Sequence, residues 1–304
     1  MPQTSRKEFI QTSAMFLAAA FAGTTFDLKK NKILLSFSTL GCPDWTFQQI
    51  ADFAVQHGFA GIELRGLKRQ IDLTKCDEFT KDRNATLKLM KDKKLQFVDL
   101  GSSSTLHFAE GAEREKNLAE GKAYIDLAQQ LNCPNVRVYP NLFPKDRDKN
   151  ATIELIGKGL WTLGEYAKGK NVRVLMETHG EAVWIEDIEK IMLAAKHPNV
   201  GLVWDMCNMW VVTKESPAEM YKRLKKYIYH THIKDAKLVD GKPQYKRLSQ
   251  GEVPIFEAID ALSKGGYKGY YSFEWEKLWH PELEDPEGPF TDYSKVMKEH
   301  FSRV

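Results

Sequence analysis

Four side chains of metal-binding type stand at the ends of four short strand-like runs in the second half of the chain: Glu177, Asp205, His232 and Glu274. The runs are Val172-Arg-Val-Leu-Met-Glu177, Val200-Gly-Leu-Val-Trp-Asp205, Ile228-Tyr-His-Thr-His232 and Tyr270-Tyr-Ser-Phe-Glu274. Each is apolar, β-branched or aromatic over the length of a strand. If the runs are parallel strands of one barrel, their final residues converge on one rim. Three carboxylates and one imidazole form a hard, oxygen-rich shell suited to a single divalent ion, manganese, magnesium, cobalt or zinc, rather than to copper or iron-sulfur chemistry. Such an ion can hold adjacent oxygens of a sugar or hydroxy-ketone while a flanking carboxylate moves a proton at the neighbouring carbon. The competing explanation is that acids and histidines mark where strands emerge into solvent.

The remaining elements must supply that barrel. Ile33 to Thr39 reads as a first strand, and a helix from about Thr46 follows, with Phe47, Ile50, Ala51 and Ala54 on one face and a stop at His57-Gly58. Gly61 to Arg65 is a second strand whose helix lies within Phe79 to Lys93. Leu95 to Leu100 is a third strand, and Gly101-Ser-Ser-Ser-Thr105 reads as a loop. Tyr124, Leu127, Ala128 and Leu131 mark the next helix, which stops before Pro134. Asn135 to Tyr139 is strand four, and Ile153, Ile156, Leu160 and Leu163 place helix four. Strand five is followed by a helix through Ile188, Ile191, Met192 and Ala195, and strand six by one starting at Pro217. A hairpin turning at Asp240-Gly241 follows strand seven, then come a helix through Ile255 to Leu262, strand eight and a final helix through Tyr293 to His300. Eight strand-then-helix units predict an α/β fold, a single-domain (β/α)8 TIM barrel over residues 33–304. No Gly-x-Gly-x-x-Gly follows any strand, which counts against a dinucleotide fold.

Side-chain alternation places other residues in the lumen. His230 lies one layer deeper than His232 and reads as a packed core histidine; Lys234, His179 and Glu276 lie nearer the mouth. Glu63 is expected either to orient substrate or to be a solvated rim residue. His107, Trp45 and Trp279 fall in post-strand loops where an aromatic ring can stack on a sugar, and residues 282–287 form an acid-rich lid or surface segment. Lys234 is expected either to stabilise an enolate or to pair with Asp235 or Glu276.

The motifs Met176-Glu177-Thr-His179, Trp204-Asp205, His232-Ile-Lys234-Asp235 and Phe273-Glu274-Trp275-Glu276 resemble the strand-end motifs of the sugar phosphate isomerase/epimerase family, xylose isomerase-like barrels of the endonuclease IV-like superfamily. The resemblance spans roughly residues 33–300. It implies Glu177, Asp205, His232 and Glu274 as metal ligands and Glu177 and Glu274 as the proton-transferring pair; Lys234, from its place at the mouth, is the third catalytic candidate. Glu63, His107, His179 and Asn208 are the substrate-binding candidates. Family members often carry a histidine three residues after the strand-six Asp, where this chain has Asn208. The histidines and acids of a three-metal site are not evident beyond His107 and His179, so the resemblance implies one metal and disfavours DNA repair. The implied activity is isomerisation or epimerisation of a sugar or sugar derivative. A lyase or hydratase acting on a keto-glycoside, or a non-catalytic sugar-binding barrel, are the alternatives.

Bulk properties narrow the setting. A 304-residue chain with 42% hydrophobic residues can bury a barrel-sized core. A net charge of +3 and no Lys/Arg run longer than two argue against nucleic-acid or membrane-surface binding. The expected partner is a small carbohydrate, without nucleic acid and without membrane insertion of the mature chain; a homo-oligomer is allowed. Residues 1–22 read as an export signal: Arg6-Lys7, an uncharged apolar stretch from Ala14 to Ala22, and a small-x-small pattern at Ala20-Phe-Ala22. Ser5-Arg6-Lys7-Glu8-Phe9-Ile10 resembles a twin-arginine motif with lysine in the second place, so either that route or the general secretory route leads to a periplasmic location, with a cytoplasmic one as the alternative. Residues 23–32 form a linker. The four cysteines, Cys42, Cys76, Cys133 and Cys207, lack a C-x-x-C pair and are expected to be buried free thiols.

Overall fold

The computed structural model describes residues 33–303, and the expected export signal and linker lie outside the described residues. Eight strands close into a parallel barrel. They are β1 (Leu35–Ser38), β2 (Gly61–Leu64), β3 (Gln96–Thr105), β4 (Asn135–Tyr139), β5 (Arg173–Glu177), β6 (Val200–Asp205), β7 (Ile228–Ile233) and, after a hairpin, β10 (Tyr271–Phe273). Closure is made by β1, which pairs in parallel with β10 and with β2. The hairpin, β8 (Asp235–Val239) and β9 (Lys242–Lys246), is antiparallel and turns at Asp240-Gly241 as expected.

Helices alternate with the strands: α1 (Phe47–His57), α2 (Arg83–Asp92), α3 (Ala112–Leu131), α4 (Lys149–Ala167), α5 (Ile185–Ala195), α6 (Met206–Thr213), α7 (Pro217–Leu224), α8 (Ile255–Lys264) and α9 (Glu287–Arg303). Helix α1 starts where its chemistry allows. Thr46 and Gln49 form a reciprocal capping box, and Gly58 takes the left-handed conformation at the other end with φ 76°. The apolar helix faces pack on the outer faces of the strands, with Ile50, Ile156, Leu160, Ile188, Val174 and Leu202 fully buried in one continuous core. Close helix contact requires small residues: a Cβ on Gly157 of α4 would lie 2.5 Å from the Cβ of Ala194. All four cysteines are free and buried. Among the described residues no helix is long and apolar enough to cross a membrane.

Two expectations are corrected. Residues Gly101–Thr105 are strand, not loop, because the serines find partners inside the protein: Ser102 Oγ donates to Arg137 O (2.6 Å) and Ser104 Oγ to Asn117 O (2.7 Å). A helix, α6, begins directly at the end of β6, with Asp205 as its N-cap: one carboxylate oxygen accepts from the Asn208 backbone N–H at 2.8 Å. Its sequence, Met-Cys-Asn-Met-Trp-Val-Val-Thr, lacks a clear polar face, so periodicity could not reveal it.

Candidate metal centre

Each of the four strand-end residues arrives at the lumen by the same rule. Alternation on a buried strand turns every second residue inward, and the last inward residue stands at the C-terminal rim. Glu177 ends β5, Asp205 ends β6, His232 is the penultimate residue of β7 and Glu274 follows β10. Their exposures are 1%, 0%, 0% and 4%. One ligand atom from each lies within 4.8 Å of all the others. His232 Nδ1 sits 3.5 Å from Glu177 Oε1, 3.7 Å from Asp205 Oδ2 and 3.3 Å from Glu274 Oε2. These four are not solvated strand ends, which removes the competing explanation.

The histidine is aimed by a group beneath it. His232 Nε2 faces Glu63 Oε1 at 3.1 Å, and Glu63 Oε2 meets His230 Nε2 at 2.9 Å and accepts from Ser272 Oγ at 2.8 Å. With Nε2 donating to the carboxylate, Nδ1 and its lone pair point at the other three acids, the arrangement by which metal-binding imidazoles are fixed in one tautomer. Glu63 is therefore not a solvated rim residue. It is 0% exposed and both its oxygens are engaged below the cluster. His230, read as a packed core histidine, is also a hydrogen-bonding member of this layer.

Charges surround the cluster. Lys234 is buried, with Nζ 2.9 Å from Asp205 Oδ2, 2.7 Å from Glu274 Oε2 and 2.6 Å from Glu276 Oε1. Its expected pairing with Glu276 is present; that with Asp235 is not. Asp235 instead accepts from the backbone N–H groups of Ala236, Gly251 and Val253, pinning the base of the hairpin. Arg137 of β4, fully buried, places Nε 3.3 Å from Glu177 Oε2, and its guanidinium lies 3.9 Å over the Tyr139 ring. Five carboxylates, those of Glu63, Glu177, Asp205, Glu274 and Glu276, thus face two permanent cations, Lys234 and Arg137.

That imbalance appears in the protonation equilibria. Burial disfavours the charged form of His232, yet Glu274, Glu63 and Glu177 together hold its imidazole well above the ordinary range. Burial likewise opposes ionisation of Glu274, but His232 and Lys234 keep its carboxyl far below the usual value, and His232 and Arg137 pull Glu177 down in the same way. Asp99 of β3 goes the other way: burial and then the nearby Glu63 push it well up. In short, the cluster draws in a proton where positive charge is lacking.

The residues fit a divalent ion on two observations. Glu177 Oε2, Asp205 Oδ2 and His232 Nδ1 are buried and lack a hydrogen bond, although Asp205 Oδ2 is at ion-pair distance from Lys234. The donor set, three carboxylates and an imidazole with an outer carboxylate, is one that hard or borderline divalent metals accept.

The other candidates lie around this centre. Asn208, in the first turn of α6, donates from Nδ2 to Glu177 Oε1 and to Thr178 O, each at 3.3 Å, so it steadies the Glu177 carboxylate. His179 Nδ1 meets Asn141 Oδ1 at 3.0 Å, and its ring lies 4.6 Å from that of Tyr139, at the mouth. His107 is 7% exposed, rests against Phe108 and makes no hydrogen bond or ion pair with the cluster among the described residues. Trp45 packs on Phe53 and Phe290, so it does not line the mouth, whereas Trp279 lies 5.8 Å from the Arg65 guanidinium carbon. In the acid-rich segment, Glu284 and Asp285 pair with Arg247 and Lys277, which ties it to the protein. Arg137, Asp99 and Arg65 were not anticipated. The available signal was a charged residue inside an apolar strand run, as in Asn-Val-Arg137-Val-Tyr.

Comparison with known proteins places these features in a wider set. Residues 51–300 match the family described as xylose isomerase-like TIM barrel. A 3-dehydroshikimate dehydratase of Bacillus anthracis is 24% identical over 225 residues, covering 70% of this chain and 78% of the relative. The solved structure of IOLI, which holds a zinc atom, is similar with a TM-score of 0.74 at 18% identity, over 89% of this chain and 99% of that one. The 3-keto-D-glucoside 4-epimerase YcjR of E. coli gives a TM-score of 0.70 at 12% identity, over 88% and 98% of the two chains.

Proposed function

Since this chain belongs to the xylose isomerase-like TIM barrel family, we propose that it is a divalent-metal-dependent enzyme that moves a proton at the carbon beside a carbonyl of a sugar or sugar-like substrate. One observation carries the reading: four buried ligand atoms, three carboxylate oxygens and an imidazole nitrogen, lie within 4.8 Å of one another. Glu177, Asp205, His232 and Glu274 would hold the ion, which when bound supplies charge that polarises the carbonyl and gathers adjacent substrate oxygens. Manganese, magnesium, cobalt and zinc suit this set, and the zinc of IOLI supports a divalent occupant.

The proton is handled by the chain itself. Glu177 and Glu274 stand on either side of His232, 3.5 and 3.3 Å from the same nitrogen, and both are ionised at neutral pH. One takes the proton from the substrate carbon and, now carrying it, returns it on the same face; return on the opposite face requires the other carboxylate first to take up a proton from solvent. Asn208 and Arg137 hold Glu177, and Lys234 holds Glu274, so neither carboxylate has to reorganise during transfer. Lys234 stays protonated, because Asp205, Glu274 and Glu276 raise its affinity for the proton despite burial, and it supplies a fixed positive charge where negative charge develops.

Return of the proton gives an isomer or epimer. Loss of a neighbouring hydroxyl instead gives dehydration, a second reading favoured by the 3-dehydroshikimate dehydratase relative, while YcjR supports epimerisation. Both share the first step. Incubation of the metal-loaded enzyme with keto-sugars and keto-glycosides in D2O should show deuterium entering beside the carbonyl, and mass loss of water distinguishes dehydration. Sugar binding without exchange, unaffected by Glu177→Gln and Glu274→Gln together, would leave a non-catalytic binding barrel. The Arg6-Lys7 patch and the apolar stretch after it support export, which fractionation of cells expressing the full chain tests directly.

A further inference from the structure

The lumen is divided by chemistry. Strands β5, β6 and β7 and the residue after β10 bring Glu177, Asp205, His232 and Glu274; strands β2, β3 and β4 bring, besides the buried Glu63 and Asp99, Arg65, Gly101, Ser103, Arg137 and Tyr139. Arg65 follows Glu63 by two positions, so its side chain faces the lumen one step nearer the mouth. Both arginines lie against Gly101: a Cβ there would sit 2.6 Å from Arg137 Nη2 and 2.8 Å from Arg65 Cδ. The glycine is what lets two guanidinium groups share this wall.

They differ in their partners. Three arginines are buried among the described residues, with exposures of 4% for Arg65, 3% for Arg114 and 0% for Arg137. Arg137 pairs with Glu177 at 3.3 Å and Arg114 with Glu110 at 3.7 Å. Arg65 has no acid within 4.0 Å among the described residues. It donates only to Gly101 O (3.4 Å) and Ser103 Oγ (3.0 Å), and its buried Nε has no partner. The next two cations of the same loop, both exposed, are neutralised: Lys68 by Glu78 and Arg69 by Asp44, each at 2.6 Å. A buried, uncompensated guanidinium beside a second one is costly unless an anion arrives.

We infer that Arg65 is the receptor for a carboxylate on the substrate, placed on the β2–β3 side of the mouth, across the lumen from the acids. The inference rests on the lumen being the sugar-converting site proposed above. One guanidinium balances one negative charge and its planar fork matches a carboxylate. Phosphate sites of barrels are instead built from backbone N–H groups after the seventh and eighth strands, where this chain has the hairpin and Lys234, already held by three acids. Trp279, 48% exposed and 5.8 Å from the guanidinium carbon, stands at the opening on the same side.

The test compares oxidised (keto) forms of glucuronate, glucose and glucose 6-phosphate by solvent deuterium exchange with the metal-loaded full chain, alongside binding of glucuronate and glucose followed by ligand-observed NMR. The wild type should prefer the uronate in kcat/KM. Arg65→Gln should lower the uronate-to-glucose ratio by about 10²-fold, chiefly through KM, and Arg65→Lys should restore part of it; a residue that only supported the fold would not move that ratio. Far-UV circular dichroism and melting of both variants keep folding separate from recognition. Exchange with neutral substrates at a ratio that Arg65→Gln leaves unchanged overturns this inference and leaves the proposed function standing. Arg65-dependent binding of glucuronate with no exchange on any substrate overturns the proposed function and leaves the anion site standing. Preference for the phosphate overturns the carboxylate assignment.

Discussion

Replacing Glu63 by Gln probes the centre from beneath without touching a proposed ligand. The carboxylate has three hydrogen-bond partners, His232 at 3.1 Å, His230 at 2.9 Å and Ser272 at 2.8 Å. Gln keeps the shape but converts one oxygen to an NH2 group, which faces either the donor His232 Nε2–H or the pair His230 Nε2 and Ser272 Oγ, both able to accept. Facing His232, it takes away the acceptor that fixes the tautomer of that ring and the orientation of Nδ1. Losing an outer carboxylate of this kind costs about 10- to 100-fold in metal affinity, or roughly 1.4 to 2.7 kcal/mol. A stability loss of about 1 to 3 kcal/mol should accompany it, because one buried donor is left unsatisfied. A compensating effect must be separated. Glu63 is one of the groups that raise the affinity of His232 for its proton, so the variant competes less with protons and the deficit is smaller at low pH. Titration of the metal-free protein against a chromogenic chelator at several pH values resolves both effects: the wild type should show a steep rise of affinity with pH, the variant a shallower and lower one. An intact fold with wild-type metal affinity throughout would refute the idea that Glu63 aims His232 at an ion.

The remaining predictions concern charge and proton transfer. Metal binding by the wild type should release a proton near neutrality, measurable by titration in two buffers of different ionisation enthalpy, because His232 carries a raised proton affinity in the metal-free cluster. The sign for stability is fixed by the same shift: the contribution of protonated His232 is present below its unfolded pKa, about 6.5, and disappears as pH rises through its higher folded value, so metal-free melting temperatures should fall over that window unless metal is added. Glu177→Gln and Glu274→Gln should each reduce deuterium exchange by ~10²- to 10⁴-fold with circular dichroism unchanged. Arg137→Met should destabilise the protein by about 3 to 5 kcal/mol, read by chemical denaturation, because Glu177 Oε2 loses the cation 3.3 Å away.

Residue order and type revealed the barrel and its four converging side chains, since each of those residues ends an apolar run and strand ends share a rim. What escaped notice is equally physical. Arg137 and Asp99 sit inside strands whose flanking residues are apolar; the charge of Arg137 is tolerable there because Glu177, at the end of the neighbouring β5, supplies its counterpart, and Asp99 is a buried carboxyl whose affinity for its proton is raised. Glu63 could be placed facing inward, but its partners, His230, His232 and Ser272, lie more than 160 residues away, so its depth was invisible. The Gly101–Thr105 stretch has the composition of a turn, yet buried acceptors on β4 and α3 take its hydroxyl protons and keep it extended.

Because His232 and the three acids around its Nδ1 come from residues 177–274, while Glu63, Arg65 and Arg137 come from the first half, vectorial synthesis delivers the cluster and the groups that hold it at different times. A nascent chain that ends after β4 holds Glu63, Asp99 and Arg137 without their later neighbours. Such a chain has little to gain by closing early. If the cluster holds a cation as proposed, its capture awaits the emergence of the last strand from the ribosome, which ties maturation of the centre to completion of the polypeptide.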